Sequence, residues 1–600
     1  CLLSRGLGDV YNRQRNRFRI RRGERPADGK SRVSDESAAS RRQPGDKASP
    51  AAWTRWHRLM CTVPIFIILI GLLVFVSNAT AMPWNNEPTG QTLSTLSADT
   101  GVTFDNPGGV HLAKRGEYEV SERSVWFDAK RPSTGEIQRT HVIIREPVGV
   151  SGKLPGMVFM HGAGYGSAVD SFVDMAYDLS SAGFVTAVLD KPVWSTNDIT
   201  RDYTGSAAVY DEVIRMLRGL DNVDDREVGI YATSESTWVS SYLLDMDKDI
   251  AFQVLLSPMV FTPRQAIGFL AAQDFALVGA HDGYQSIVRR VFNIDSALFG
   301  VTLPDVHTLK PSAYSIPTLV AYGSKDVMTA QVEGVEAIVD MALRAGNHDV
   351  SIRGYPVANH VLRLGDESET GTPFADQYAA DVVDWAVGTA KGLRQTSERV
   401  GGVNLYQSIA VPKDLKANRG LTVYGLLLHV FMVFMMVLSL VIAVVALVVK
   451  IRAMIRRTGP ALGFSHGFGN QLLTLTVTTV ATLALFGAGL GQVIMGVVKI
   501  AWGGAPPEKP GLMYWSWPVI QVVCTVVVWA WSRVLARLIE VASLRGVIRF
   551  PPRKGAIGDV MTGRDPVLAS TRLGRVLFWV TAVTMLSVLL MFAFWGLFVY

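Results

Sequence analysis

Five long apolar runs constrain this 600-residue chain more than any other feature of its sequence. The first is CTVPIFIILIGLLVFVSNATA at residues 61–81, and the others lie at about 421–449, 472–498, 513–532 and 576–599. Each of the last four is long enough to cross a hydrocarbon layer of roughly 30 Å. The mean hydropathy of +0.23 is too high for an ordinary soluble protein, and the excess is concentrated in these runs. We therefore expect an all-α transmembrane region with one N-terminal and four C-terminal helices.

Basic residues beside these runs predict the orientation of the chain in the cell membrane. Arg55 and Arg58 precede the first run, and KIRAMIRR follows the second. The loop expected after the fourth run carries Arg533, Arg537, Arg545, Arg549, Arg553 and Lys554, whereas the loop at 503–512 is nearly neutral. Because basic loops stay on the cytoplasmic side, residues 82–420 are predicted to lie outside the cytoplasm.

The N-terminal region is predicted to contain two segments. Residues 1–58 are rich in Arg, Ser, Gly and Asp, and we expect a disordered basic tail in the cytoplasm. Nucleic acid is the less favoured partner for these arginines. Residues 59–81 resemble a signal peptide or a signal anchor, and Ala79-Thr80-Ala81 fits a cleavage site. Both alternatives export the region that follows.

Residues 82–395 alternate β-rich runs with helical patterns, which is typical of an α/β domain with a mostly parallel sheet. The predicted strands are RTHVIIREP, GMVFMHG, GFVTAVLD, EVGIYAT, FQVLLSP, PTLVAYG and VSIRGYP, and FADQYAADVVDWAVGTAKGL predicts a closing helix. Residues 262–312 interrupt the alternation and are predicted to form a lid over the site. We expect a linker at 396–420 and a four-helix transmembrane region at 421–600.

The stretch VGIYATSESTWVSSYL at 228–243 predicts a strand that turns directly into a helix, with Ser234 at the turn. A catalytic serine at such a turn normally stands in Gly-x-Ser-x-Gly, because strand and helix pass close together there. Ala232 and Ser236 occupy the two glycine positions and are the next smallest side chains. Ser236 is the weaker candidate nucleophile, because Trp238 would then occupy a crowded position.

A glycine-rich segment, LPGMVFMHGAGYG at 154–166, is predicted to supply hydrogen-bond donors to the same site. Gly162 and Gly164 let the backbone turn, so that an amide N–H at Gly162 or Ala163 can face a developing oxyanion. The second donor would be the backbone N–H of Glu235, whose side chain is not needed for that donation. The alternative is a phosphate-binding turn, but the segment lacks the Lys-Ser/Thr of a P-loop.

Asp326 and His360 each follow a predicted strand, in PTLVAYGSKD and VSIRGYPVANH. The chain order Ser234, Asp326, His360 is the order of a serine-hydrolase triad on an α/β sheet. In that triad the histidine takes the serine proton and the aspartate orients the imidazole. The alternatives are a helix-capping role for Asp326 and a surface position for His360.

Together these motifs resemble the α/β-hydrolase superfamily, in particular its dienelactone-hydrolase and prolyl-oligopeptidase-like branch. AVYDEVIRMLRGLDNVDDREVGIYATSES reproduces that branch's approach to the serine, and the resemblance covers about residues 115–395. It implies the fold, the triad and the hydrolysis or transfer of acyl groups. The absent elbow glycines are its main departure from the family pattern.

The sequence therefore predicts a membrane-anchored serine hydrolase that cleaves an acyl ester of a lipid or glycolipid. An acyltransferase using the same triad and a catalytically silent binding module of a membrane complex remain alternatives. We expect no cofactor and no metal, because the histidines are scattered and the three cysteines are Cys1, Cys61 and Cys524. The expected partners are the acyl-ester substrate and the bilayer. The sequence does not identify a protein partner.

Overall fold

The structure, a computed structural model, describes residues 53–82, 84, 90–194, 201–301, 310–365, 371–465, 467–501, 507, 511–548, 551, 553–562 and 564–599. Most of the predicted basic tail at 1–58 lies outside these residues. The first helix, α1 (Arg55–Ala79), begins inside that predicted tail. The boundary expected at residue 59 is therefore four residues too late.

The described strands, in chain order, are β1 (Thr92–Leu93), β2 (Phe104–Asp105), β3 (Val120–Lys130), β4 (Ile137–Pro147), β5 (Leu154–Met160), β6 (Val185–Leu189), β7 (Val223–Thr233), β8 (Gln253–Leu256), β9 (Thr318–Gly323), β10 (Val350–Tyr355), β11 (Arg394–Gln395), β12 (Val400–Gly402) and β13 (Leu405–Tyr406). Seven of them, β4 to β10, confirm the strands predicted from apolar runs. The predicted strands read as continuous apolar runs because strands such as β5 and β9 are buried along their whole length.

Nine of the described strands form one mixed, mostly parallel sheet. Its order is β12-β10-β9-β8-β7-β5-β6-β4-β3, with antiparallel pairing between β3 and β4 and between β4 and β6. Strand β3 was not predicted, because as an edge strand it exposes most of its side chains. Strand β12 lies in the predicted linker at 396–420 and pairs in parallel with β10. The sheet therefore extends past residue 395, and the linker prediction is wrong for that strand.

The remaining helices of the described residues are α2 (Val173–Ser180), α3 (Tyr203–Arg218), α4 (Ser236–Met246), α5 (Pro263–Leu277), α6 (Asp282–Phe292), α7 (Gln331–Arg344), α8 (Tyr378–Ala390), α9 (Arg419–Arg456), α10 (Phe468–Ala501), α11 (Leu512–Leu544), α12 (Ala556–Thr562) and α13 (Arg572–Phe594). Helices α3, α4 and α7 contribute apolar side chains to one buried cluster on the sheet. Helices α2 and α8 contribute to a second cluster, which includes Trp385. The result is a three-layer α/β arrangement.

Five helices of the described residues are long and apolar enough to cross a membrane, namely α1, α9, α10 (up to Ile500), α11 and α13. The predicted apolar runs lie within or largely overlap these helices. Helix α11 continues to Leu544, twelve residues past the predicted end at 532. Arg533 and Arg537 therefore lie on a helix, not in the loop where they were expected. The short helix α12 was not predicted.

The five long helices have two distinct ends. At one end, α1 begins and α11 ends, since Arg58 Nε donates to Glu540 Oε2 at 2.9 Å. The connection after α9 meets the residues before α13 at the same end, where Ser465 N donates to the carbonyl of Leu568 at 2.8 Å. We call this the basic end, because the arginine clusters lie there. The opposite end is the domain end.

The insertion at 262–312, predicted as a lid, packs on the domain end through α5 and α6. Tyr284 of α6 contacts Trp517 of α11 with 4.8 Å between ring centroids, and its hydroxyl lies 2.8 Å from Ser516 Oγ. Phe275 and Val288 belong to the same buried cluster as the long helices. The insertion therefore fastens the α/β half to the apolar helices. Residues 302–309 of the predicted lid lie outside the described residues.

We expect Gly283→Ala to weaken this attachment. A Cβ at Gly283 would overlap the indole of Trp517, which is 1% exposed. Overpacking of this kind costs about 1–3 kcal/mol, so the full-length protein in detergent should show a lower Tm in thermal unfolding. The matched control is Gly487→Ala on α10, where nothing lies within 4 Å of the new Cβ. Equal Tm values for the two variants would contradict the prediction.

Candidate active site

Ser234 lies between β7 and α4 in a left-handed backbone conformation with φ of 52°. A non-glycine residue rarely adopts this conformation, and it persists only where surrounding contacts impose it. The Ser234 N–H donates to the carbonyl of Leu256 on the neighbouring strand at 2.9 Å. Its own carbonyl accepts from Thr237 Oγ at 2.7 Å. The backbone of the turn is thus held on both sides of Ser234.

The residues at the two expected glycine positions suit the turn in different ways. Ala232 is fully buried in β7 and has no bulk to accommodate. Ser236 is also fully buried, and its Oγ donates toward the carbonyl of Met160 at 2.9 Å and accepts from the N–H of Thr233 at 2.8 Å. Serine at this position therefore connects the elbow to β5. The Ser236 hydroxyl therefore faces the sheet, whereas the Ser234 hydroxyl lies beside His360.

The structure brings Ser234, His360 and Asp326 together. His360 Nε2 lies 2.9 Å from Ser234 Oγ, and His360 Nδ1 lies 3.0 Å from Asp326 Oδ1. Ser234 and His360 are each 6% exposed, and Asp326 is 5% exposed. Within these distances the imidazole can accept the serine proton at Nε2 while it donates from Nδ1 to the carboxylate. The structure thus places the three side chains of the predicted triad within hydrogen-bond distance of one another.

The carboxylate of Asp326 is held in its ionised form. Burial would raise its pKa, but the charge and hydrogen bond of His360 and the hydrogen bonds from Thr329 and the N–H of Met328 outweigh burial. The pKa of Asp326 therefore lies below its ordinary value. An ionised carboxylate at this position fixes the orientation of the imidazole and stabilises its protonated form.

Two further residues, not identified from the sequence, support the His360 loop. Ser257 at the end of β8 donates from Oγ to the carbonyl of His360 at 2.7 Å. Gly323 at the end of β9 lies against the same loop, and a Cβ there would overlap the carbonyl oxygens of Ala358 and Asn359. The absence of a side chain at Gly323 thus lets the histidine loop approach the strand that precedes Asp326.

The glycine-rich loop after β5 lies against the serine turn. A Cβ on Gly162 would stand 3.2 Å from the carbonyl oxygen of Thr233 and 3.3 Å from Ser234 Cβ, so a larger residue would separate the two segments. Gly164 has a positive φ of 87°, which allows the loop to turn. Ala163 follows Gly162 on the exposed side of this loop. The backbone of the loop therefore passes within contact distance of Ser234.

An ion-pair cluster that no sequence motif marks holds this loop. Lys191 Nζ donates to the carbonyls of Gly162 at 2.6 Å and Gly164 at 3.1 Å, and it lies 3.0 Å from Glu235 Oε2. Arg201 Nε lies 2.9 Å from the other oxygen of Glu235. The side chain of Glu235, which is not needed for donation by its backbone N–H, thus connects the residue after the serine with the glycine-rich loop.

His161, the first residue of the His-Gly-Ala-Gly sequence, faces away from the serine. It is 5% exposed, and its Nε2 donates to the carbonyl of Leu189. Burial lowers its pKa to about 4, against the opposing effect of that hydrogen bond. His161 therefore stays neutral at ordinary pH and packs beneath the loop.

The described residues contain no group of three or more His, Cys, Asp or Glu side chains that could hold a metal ion. The polar groups gathered at the site are a hydroxyl, an imidazole, a carboxylate and backbone amides. This set suits proton transfer and nucleophilic attack on a carbonyl.

No family model matches this chain, and no curated protein matches it. Among solved structures, an esterase of the fungus Rhizomucor miehei is 18% identical over 46% of this chain and 85% of its own, with a TM-score of 0.33. A bacterial heroin esterase is 17% identical over 46% and 85%, with a TM-score of 0.32. A cold-adapted esterase from an Arctic intertidal metagenomic library is 13% identical over 52% and 100%, with a TM-score of 0.27. Matches this distant decide neither fold nor function, which rest on the geometry above.

The buried His161 predicts a loss of stability in acid. An unfolded histidine titrates near pH 6.5, so between pH 6.5 and about 4 the unfolded chain binds a proton that the folded chain does not. The free energy of unfolding should therefore decrease as the pH is lowered through this window, by up to roughly 3 kcal/mol from this group. Thermal unfolding of the full-length protein in detergent should show a shallower pH dependence for His161→Gln. His348→Gln, at an exposed histidine, is the control, and equal pH dependence in all three proteins would contradict the prediction.

Proposed function

We propose that this chain is a membrane-anchored serine hydrolase that cleaves an acyl ester through an acyl-enzyme on Ser234. The observation that carries the proposal is the hydrogen-bonded series from Asp326 through His360 to Ser234 Oγ, at 3.0 and 2.9 Å. A backbone strained at the serine and the adjacent glycine-rich loop add to it, because this combination suits a nucleophile at a strand-to-helix turn.

The first half of the proposed reaction forms the acyl-enzyme. Ser234 Oγ attacks the ester carbonyl while His360 Nε2 takes the hydroxyl proton. The carbonyl oxygen becomes an oxyanion, which the backbone N–H groups of Ala163 and Glu235 would stabilise as hydrogen-bond donors. Collapse of the tetrahedral intermediate breaks the ester bond, and the departing alkoxide takes the proton from His360. The products of this half are the alcohol and an ester on Ser234.

The second half releases the acyl group and restores the enzyme. A water molecule attacks the acyl carbonyl while His360 takes its proton, and Ser234 Oγ then leaves with that proton. The product is a carboxylic acid. Throughout both halves Asp326 remains ionised and stabilises the imidazolium, as its lowered pKa allows. A hydroxyl of another molecule in place of water would make the same enzyme an acyltransferase, which we retain as the alternative.

A lipid or glycolipid ester is the proposed substrate, because the site adjoins the apolar helices. Gln273 of α5 donates to the carbonyl of Val327, the residue after Asp326, at 3.0 Å. Neighbouring residues of α5, Ala272 and Phe275, pack in the cluster of the long helices. One helix thus separates the Asp326 loop from the apolar bundle. An ester at the surface of a bilayer would be presented close to such a site.

The proposed orientation has the α/β half outside the cytoplasm. The arginine clusters of the bundle lie at the basic end, whereas the α/β half is attached at the domain end. Basic residues mark the cytoplasmic side of membrane helices, which supports this orientation. Helix α1 packs in the bundle, and Ser77 Oγ near its end donates to the carbonyl of Ala593 at 2.8 Å. This contact favours a retained anchor over a cleaved signal peptide.

We expect Ser234→Ala to abolish covalent labelling of the full-length protein by a fluorophosphonate probe. Hydrolysis of a short p-nitrophenyl ester should fall by a factor on the order of 10⁴ or more, because the variant lacks the oxygen that would carry the acyl group. Ser236→Ala is the matched control, since its hydroxyl faces Met160 and not His360. Circular dichroism should show that this variant is folded, and the folded variant should still react with the probe.

The same assay separates the proposed enzyme from a silent binding module. Asp326→Asn should lower kcat by a factor on the order of 10³–10⁴, because the amide favours the wrong imidazole tautomer. A folded wild-type protein that takes no label would favour the binding module. Labelling that survives Ser234→Ala would show that another residue is the nucleophile.

Lys191 predicts a different kinetic effect, because it contacts the carbonyls of the glycine-rich loop and not the reacting atoms. Lys191→Met should loosen the loop and lower kcat by a factor on the order of 10–100, with little change in KM. Lys153→Met, at an exposed lysine, is the control and should leave both constants unchanged. A rise in KM at constant kcat would assign Lys191 to substrate binding instead.

A further inference from the structure

A cavity lies at the basic end of the bundle, on the opposite side of the apolar helices from Ser234. Its volume is about 630 Å³, and residues of α1, α10 and α11 together with Gly467 form its walls. Its charged and polar lining includes Arg55, Arg58, Gln471, Arg533, Arg537 and Glu540. We call it the arginine cavity. The proposed acyl-ester chemistry does not involve these residues.

The arginine cavity carries an excess of positive charge. Four guanidinium groups and one carboxylate line it, which leaves three positive charges at neutral pH. The carboxylate of Glu540 is fully buried and is shared by two of the arginines. Because a concave, partly apolar surface concentrates this charge, an anion is attracted more strongly here than to isolated surface arginines.

Glu540 also fixes the position of two of the guanidinium groups. Arg58 donates from Nε and Nη2 to the two carboxylate oxygens at 2.9 and 3.0 Å, and Arg537 donates from Nη1 at 2.6 Å. A planar guanidinium that is already oriented loses little freedom when it binds a second oxyanion. The forked geometry of arginine matches the oxygens of a phosphate group. The cavity therefore has the charge and the donor geometry of a phosphate site.

Two other features of the lining indicate more than a bare phosphate. Gln471 lines the cavity, and its amide can form a hydrogen bond with a polar group of a ligand. Leu59 and Trp529 add apolar surface, and Trp529 packs against Phe66 with ring centroids 5.5 Å apart. Tryptophan beside arginine is typical of the interface between a bilayer and water. A molecule with a phosphate, a polar donor and an apolar body would contact all of these groups.

We propose that the arginine cavity binds the phosphodiester headgroup of an anionic phospholipid. The phosphate lies against the four arginines, a headgroup hydroxyl forms a hydrogen bond with the amide of Gln471, and the glycerol and acyl region follows Leu59 and Trp529. Such a lipid would connect α1, α10 and α11 at the end of the bundle away from the α/β half. Basic pockets between membrane helices bind lipid headgroups by this combination of contacts.

The test uses the full-length protein reconstituted in phosphatidylcholine vesicles, with and without phosphatidylglycerol. The informative variant is Arg55→Gln with Arg533→Gln, because neither residue pairs with Glu540 in the structure and the buried carboxylate keeps its partners. The matched control is Arg572→Gln with Arg575→Gln, which removes the same charge at the basic end outside the cavity. Each protein is titrated with phosphatidylglycerol, and bound lipid is counted by native mass spectrometry after transfer to detergent.

Wild-type protein should retain phosphatidylglycerol in preference to phosphatidylcholine, and its Tm should rise with the anionic lipid. The cavity variant should bind phosphatidylglycerol about 10- to 30-fold more weakly, while the control variant binds as the wild type does. Equal weakening in both variants would overturn the proposal in favour of general attraction to the basic end. Equal retention of the two lipids by the wild type would also overturn it. A Tm rise produced by inorganic phosphate alone, equal to that with lipid, would assign the cavity to a free anion.

Discussion

The left-handed backbone at Ser234 is the constraint on which the α/β half depends. A conformation of this kind costs about 1–3 kcal/mol, so the surrounding structure must stabilise it. The stabilising contacts come from three neighbouring segments: the carbonyl of Leu256 on β8, the hydroxyl of Thr237 on α4, and Ser236 bonded to Met160 on β5. Because β5, β7 and β8 are adjacent in the sheet, the turn forms only when their register is correct.

Much of the candidate site could be predicted because each residue follows a strong strand signal. Ser234, Asp326 and His360 come after apolar runs that are buried on both faces of the sheet, and parallel strands bring their ends to one edge. Lys191 and Ser257 were not recognised, although each also follows a strand. Their contacts are to backbone carbonyls, and no residue type or spacing in a sequence marks such a contact. The same holds for the ion pairs of Glu235, whose partner Arg201 is distant along the chain.

The boundaries of elements were predicted less well than their order, for physical reasons that differ between elements. Strand β3 exposes most of its side chains, so its sequence has no apolar run. Strand β12 is three residues long and pairs in a region of polar composition. Helix α11 extends beyond its apolar segment, and Arg533 and Arg537 in this extension line the arginine cavity. Hydropathy locates the part of a helix in hydrocarbon, and it gives no information on how far the helix extends into the interface.

The two charged clusters of the protein share one arrangement. Glu235 at the candidate active site pairs with Lys191 and Arg201, and Glu540 at the basic end pairs with Arg58 and Arg537. A buried carboxylate adds little net stability, because its removal from water offsets the attraction to its partners. Its consequence is instead geometric, since a carboxylate with two oxygens fixes two cations at once.

At the active site the fixed cation is Lys191, and the group that it positions is the backbone of the glycine-rich loop. At the basic end the fixed cations are the arginines themselves, which line a cavity. In both places the buried glutamate holds cations beside a proposed site for a negatively charged oxygen: the oxyanion of the proposed reaction in the first case and the proposed phosphate in the second. Loss of either glutamate would leave its cations without a fixed direction, so each carboxylate matters for the geometry of a binding group more than for the stability of the fold.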